Sequence, residues 1–168
     1  NRFETFRSWE LPIGNPDKTI VQLSDAMDEF VGITQLDESD SYECDKCKQR
    51  TRSLKKCTLW RLPEVLVINM KRNIYHNTGQ QHVSFKDPRV VDIPKLIDMS
   101  PYVSAQRPDH HYKLYATANH MGTPTGGHCY AQIEQNGKWF VVDDNNIREG
   151  LADPSHVYLL FYQRLHGV

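Results

Sequence analysis

The sequence predicts an α+β domain in which strands dominate. Two patterns carry that reading. Apolar residues recur at helical spacing in a single segment, and the last third alternates apolar and polar residues around an Asn136-Gly137 dipeptide. The composition agrees. Of 168 residues, 39% are hydrophobic and 24% charged, which supports one packed core and argues against a disordered chain.

Taken in order, residues 3–13 alternate loosely through Phe3, Phe6, Trp9, Leu11 and Ile13. They read as a strand that ends at a Gly14-Asn15-Pro16 turn, with these aromatics in the core. Thr19-Ile20-Val21-Gln22 fits a capping box, and Ile20, Leu23, Met27, Phe30 and Val31 follow at helical spacing up to Gly32. One amphipathic helix is predicted over about 19–31. A strand is expected over 54–60, with Cys57 as a small core residue. After Pro63, residues 65–70 form a short apolar run suited to a buried strand. Residues 73–101 are polar with scattered prolines and read as loop-rich, with short strands near 82–85 and 89–93. Residues 112–118 alternate, and 128–134 and 138–143 flank the Asn-Gly hairpin signal. Residues 157–162 complete the strands.

Charge narrows the function classes. Twenty Lys and Arg face 21 Asp and Glu, a net charge of −1, which gives no electrostatic case for nucleic acid or a membrane surface. No apolar run reaches the roughly 18 residues of a membrane span. The chain begins Asn1-Arg2-Phe3, without a signal-peptide core or an initiator Met, so a piece of a longer protein is expected. Four cysteines are far from a disulfide framework and read as reduced thiols of an intracellular protein.

Four features could carry chemistry or contacts. Cys44 and Cys47 form a C-x-x-C, which sets two thiols on one knuckle, half of a tetrahedral zinc site; free thiols are the plainer reading. The second feature is the hairpin. With a two-residue turn at Asn136-Gly137, Gln135 opposes Lys138, His128 opposes Asn145, and Asp143 becomes the diagonal neighbour of His128 on the same face. Asp144 then points to the other face, beside Cys129. A three-residue loop would bring Asp144 round instead. An imidazole beside a carboxylate is the base and orienter part of a nucleophile–base–orienter triad. Cys129 cannot complete it, because neighbours in a strand point to opposite faces. Third, the glycines of Gly122-Thr-Pro-Thr-Gly126-Gly127 suit either a loop that clamps an extended substrate backbone or an ordinary surface turn. Fourth, the charge switches sign within 37–56: Asp37, Glu38, Asp40, Glu43 and Asp45 are followed by six basic residues among the eleven from Lys46 to Lys56. They make either a solvated ribbon with edge lysines or a partner-contact surface.

Several motifs occur in a fixed order. They are Tyr42-x-Cys-x-x-Cys47, Leu62-Pro-Glu-Val-Leu-Val-Ile-Asn-Met-Lys-Arg72, Tyr112-x-Leu114, Asn119-His-Met-Gly122, Gly126-Gly-His128, Trp139-x-x-x-Asp-Asp144 and Tyr158-Leu-Leu-Phe-Tyr162. In that order they resemble the C-terminal half of a ubiquitin-specific protease catalytic domain. The resemblance implies a papain-like architecture of fingers, palm and thumb. Residues 1–62 would belong to the fingers region and 63–168 to the palm, with the thumb absent.

The implied activity is a thiol protease cutting the isopeptide or peptide bond after the C-terminal glycine of ubiquitin. The resemblance makes His128 the catalytic base, Asp143 its orienter and Asp144 an assisting acid that holds water or the oxyanion. Gly126 and Gly127 become the loop over the ubiquitin tail, and Cys44 and Cys47 one knuckle of a zinc ribbon. The nucleophilic Cys, the oxyanion donor and the other two zinc ligands would lie in an upstream half, so this chain alone is expected to be inactive. No cofactor is expected for catalysis; a structural zinc is implied for the complete domain. The implied partners are ubiquitin or a ubiquitinated protein and the upstream thumb half. Two departures stand out: Cys129 where the family pattern has Tyr, and Asn73 where it has Phe. Two other readings remain open, a non-catalytic ubiquitin-binding module of the same fold and a zinc-ribbon interaction domain.

Overall fold

A computed structural model of the chain describes residues 3–14, 17–37, 40–77, 82–105 and 109–167. The first elements are β1 (Trp9–Pro12), β2 (Ile20–Gln22), the helix α1 (Leu23–Val31), β3 (Ile33–Gln35), β4 (Tyr42–Glu43), β5 (Arg50–Thr51) and β6 (Leu54–Lys56). The middle holds β7 (Val65–Lys71), β8 (Asn73–Asn77), β9 (His82–Lys86), β10 (Val90–Asp92), β11 (Leu96–Asp98) and a 3-10 turn at Ser100–Tyr102. The last third is β12 (His111–Thr123), β13 (Gly126–Gln135), β14 (Lys138–Asp143), β15 (Asn146–Glu149) and β16 (Val157–Arg164).

One eight-stranded sheet organises the molecule, in the order β1-β7-β16-β12-β13-β14-β15, with β11 also on β12. It is antiparallel except at its edge, where β1 runs parallel to β7. Alternation along β7 turns Leu66, Ile68 and Met70 into the core, which β16 meets with Leu160 and Tyr162 and β12 with Tyr112 and Leu114. The helix closes one side by burying Leu23, Ala26 and Met27, and Phe30 packs edge-on against Trp9 with ring centroids 5.5 Å apart. Outside this body, β3–β6 and β4–β5 form two small antiparallel ribbons, the first extended by the Leu36 amide donating to the Ser53 carbonyl at 2.9 Å. No helix among the described residues is long and apolar enough to cross a membrane.

Several expectations need correction. The capping box at Thr19 does not form. Ile20–Gln22 is a strand beside Val90–Asp92, and the helix starts at Leu23 with Gln22 as its N-cap. Two β-branched pairs, Ile20–Val90 and Val21–Val91, win over the local capping signal. The first strand is only Trp9–Pro12. Trp9 is buried, but Phe3 is 72% exposed and stacks edge-on with Trp60. The strand expected over 54–60 stops at Lys56; Cys57 is only half-buried, and Leu59 takes the core position through a bridge to Val103. The stretch 73–101 carries β8 and β11 besides the two strands foreseen. The expected turn residues Asn15 and Pro16 lie outside the described residues.

Candidate active site

The β13–β14 hairpin forms in the register expected from its turn. Gln135 pairs with Lys138 and Ala131 with Val142. Asn136 and Gly137 both have positive φ, 52° and 81°, which is the type I′ geometry that matches the strand twist. Glu134 accepts the Gly137 amide at 2.6 Å and fixes the turn further. The consequence appears at the far end of the hairpin, where His128 Nε2 bonds to Asp143 Oδ1.

Asp144 departs from simple alternation. Its φ is +49°, so the chain turns there into β15 with Asp143 paired to Asn146. This left-handed residue ends the strand pattern that would have sent Asp144 to the opposite face. One ligand atom each from His128, Asp143 and Asp144 instead lies within 4.8 Å of the others. His128 is partly exposed, with 43% of its side chain open to solvent. Asp143 raises its pKa above the ordinary imidazole value, first by the hydrogen bond and then by charge; a little desolvation opposes this and the Asp144 charge adds to it. With a carboxylate on Nε2, the neutral ring keeps its proton there, and the Nδ1 lone pair is left free.

The glycines ahead of His128 belong to a hairpin tip. Thr123 pairs with Gly126 and Gly122 with Gly127. A Cβ on Gly127 would sit 2.2 Å from the Met121 carbonyl oxygen, whereas one on Gly126 would meet nothing within 4 Å. Gly122 has φ +131° and its own clash with the Gly126 carbonyl. The approach of β12 to β13 therefore demands glycine at 122 and 127, but not at 126.

Cys129 turns away from this set. It is exposed and lines a cleft of about 640 Å³ together with Asn73, Tyr75, Lys86, His120 and Tyr158, to which neither His128 nor Asp143 contributes. The two departures from the family pattern thus border the same cleft. Lys86 donates to the His120 carbonyl; burial and the Arg72 charge lower its pKa, and the Cys129 thiol opposes that.

Cys44 and Cys47 sit between β4 and β5. The Cys44 amide donates to Gln49 O at 3.0 Å, the Lys48 amide to Cys44 O at 2.8 Å, and Lys48 turns the chain at φ +53°. The amides of Cys47 and then Lys46 lower the Cys44 thiol pKa. Amide donors aimed at a thiolate suit a metal knuckle, but among the described residues no third potential ligand joins the pair.

Sequence reading passed over two supports of the site. Tyr130 Oη bonds to His156 Nδ1 at 2.9 Å, and the His120 amide donates to the His156 carbonyl at 2.9 Å, which ties β12 and β13 to the segment before β16. Buried Arg72 donates to the carbonyls of Val157, Asp87, Arg89 and Pro154. Burial pushes its pKa down to about 10 against the Asp87 charge. An arginine closing an apolar strand was the available signal.

A β-rich body with one helix on a large, mainly antiparallel sheet is the papain-like architecture of the deubiquitinating proteases. The chain belongs to the ubiquitin carboxyl-terminal hydrolase family, whose model matches residues 20–162. It is 36% identical over 155 residues to ubiquitin carboxyl-terminal hydrolase 4 of Bos taurus, covering 88% of this chain and 16% of that protein. It is 34% identical over 152 residues to ubiquitin carboxyl-terminal hydrolase 8 of Arabidopsis thaliana, covering 86% and 17%. Among solved structures, it is similar to the yeast SAGA deubiquitinating module with a TM-score of 0.79 and 27% identity, over 96% of this chain and 36% of that one. The SAGA Ubp8 module bound to monoubiquitin matches with a TM-score of 0.77 at 27% identity and the same coverage. The chain therefore spans about one-sixth of the length of these curated relatives.

Proposed function

We propose that this chain supplies the base side of a deubiquitinating thiol protease. The observation that carries the reading is the His128 Nε2–Asp143 bond, which holds the ring with Nδ1 free. In this reading Nδ1 takes the proton of a cysteine thiol contributed by another part of the protein. The thiolate attacks the carbonyl carbon of the ubiquitin C-terminal glycine. The C–N bond breaks as His128 returns the proton to the leaving amine. Water, deprotonated by the same Nδ1, then hydrolyses the thioester and frees the carboxylate. Asp143 keeps the tautomer and steadies the imidazolium, while Asp144 holds the attacking water or the oxyanion. The hairpin tip at Gly126 and Gly127 faces the ubiquitin tail.

Cys44 and Cys47 would hold half of a structural zinc site whose remaining ligands lie elsewhere in the protein; the ion would brace the two ribbons. Ubiquitin and ubiquitinated proteins are the partners in this reading, and the setting is the reducing interior of the cell. Ubiquitin–rhodamine hydrolysis tests it. The expected result is no turnover by this chain alone, turnover by the full-length protein, and loss of that turnover in full-length His128→Ala. Turnover by the isolated chain that Cys129→Ser abolishes would overturn the assignment.

A further inference from the structure

The basic ribbon is not used by the chemistry above. Lys46 to Lys56 contains six basic residues and no acid, and the remaining 14 basic and 21 acidic side chains leave the rest of the chain strongly negative. The positive charge thus falls on β5, β6 and the turn before them, directly after a segment that carries five acids, Asp37, Glu38, Asp40, Glu43 and Asp45. Arg50 on β5 and Arg52 just beyond it share one side of an extended segment, two residues apart. Together with Ser41 and Thr51 they line a concavity of about 450 Å³. Among the described residues neither guanidinium has an ion pair or a hydrogen bond, although Glu43 lies across from Arg50 in register. Next along, β6 adds exposed Lys55 and Lys56, and apolar Leu54 and Ile33 are 71% and 66% exposed.

Two unpaired guanidinium forks over a hydroxyl-lined concavity match carboxylates, because each fork takes a carboxylate in two parallel hydrogen bonds. We propose that this ribbon docks an Asp- and Glu-rich segment of a partner polypeptide. Arg50 and Arg52 hold its carboxylates, and Leu54 and Ile33 offer apolar contact beside them. The occupant is a peptide rather than nucleic acid for two reasons. The negative remainder of the chain repels a long polyanion. The strands that carry the arginine concavity are only two residues long, about 7 Å, too short to track a phosphate backbone.

The test is fluorescence anisotropy with the full-length protein and a short labelled Glu-rich peptide. Binding is expected to weaken as salt rises. It should fall at least about tenfold in Arg50→Glu/Arg52→Glu, the scale of losing two charge-assisted contacts. The milder Arg50→Gln/Arg52→Gln should lie between, with an unchanged circular dichroism spectrum. Ubiquitin–rhodamine turnover should stay at the wild-type level in both variants, which separates failure here from failure of the proposed activity. Three results would overturn the proposal: equal binding of the Gln analogue, binding untouched by both double substitutions, or preference for a DNA oligonucleotide or a singly phosphorylated peptide over the Glu-rich one.

Discussion

His128 and Asp143 meet side chain to side chain across 15 residues of sequence, because the Asn136-Gly137 turn fixes the hairpin between them. Local turn chemistry at one end of the hairpin thus decides the electrostatics at the other.

The first prediction concerns that pair. Asp143→Ala removes both the hydrogen bond and the charge that raise the His128 pKa, so the imidazole should titrate nearer its ordinary value, read by NMR of the His128 ring. A raised folded-state pKa stabilises the fold at pH below the unfolded imidazole pKa, and that contribution is lost as pH rises through the folded pKa. The stability gap between wild type and Asp143→Ala should therefore be widest at mildly acidic pH and narrow toward alkaline pH. In the full-length protein the same substitution should lower turnover by about 10²-fold or more. An unchanged His128 titration would refute the coupling.

The turn itself gives a second prediction. Gly137 lies at φ +81°, where a β-branched side chain is strained. Gly137→Val should cost about 1–2 kcal/mol in chemical denaturation. If it instead shifts the register, the His128 titration moves with it, which separates strain from rearrangement.

A third prediction separates two adjacent glycines. Gly127→Ala drives a methyl into the Met121 carbonyl and should destabilise by about 1–3 kcal/mol. Gly126→Ala enters open space and should stay within about 0.5 kcal/mol of wild type. Thermal melts of both variants check the contrast; equal losses would mean that the β12–β13 approach is looser than described.

Particular residues explain why some of this was legible and some was not. The His128–Asp143 contact could be worked out because period-2 alternation and an Asn-Gly turn are local rules, and both ends of the contact lie on one hairpin. Asp144 was misplaced because its left-handed backbone ends the alternation, and an Asp in sequence carries little sign of that. The Thr19 box failed for a different reason. Its competitor, β10, lies some 70 residues away, and no local signal reports a distant partner. Arg72 and the Tyr130–His156 bond are likewise products of tertiary packing, since their acceptors come from segments far apart in sequence.

Arg72 yields the fourth prediction. Its guanidinium satisfies four carbonyls, those of Asp87 and Arg89 after β9, Pro154 before β16 and Val157 at its start, and no other described side chain reaches all of them. Arg72→Met keeps much of the volume and removes the donors. Buried carbonyls left without a partner cost about 1–3 kcal/mol each at most, and partial rewetting lowers the sum. A loss of about 3 kcal/mol is expected in urea unfolding, with Arg72→Lys recovering only part of it, because one ammonium cannot replace a planar fork. Wild-type stability in Arg72→Met would show that water replaces the guanidinium without loss.

The last prediction tests the knuckle. The amides of Cys47 and Lys46 point at the Cys44 sulfur and favour its thiolate, the form that binds zinc. Cys57 lies in the other ribbon region and joins no cluster of potential ligands among the described residues. If Cys44 and Cys47 are half of a site completed elsewhere in the protein, metal analysis of the full-length protein should find one zinc that Cys44→Ser or Cys47→Ser removes and Cys57→Ser retains. This chain by itself should bind zinc only weakly, because two thiolates leave half of the tetrahedron to water. The removal should also release protection of the β4–β5 amides in hydrogen exchange while leaving β12–β13 unaffected, since β12 and β13 pair with strands of the sheet and not with the ribbons. Zinc retained in Cys44→Ser, or lost in Cys57→Ser, would move the site away from the knuckle.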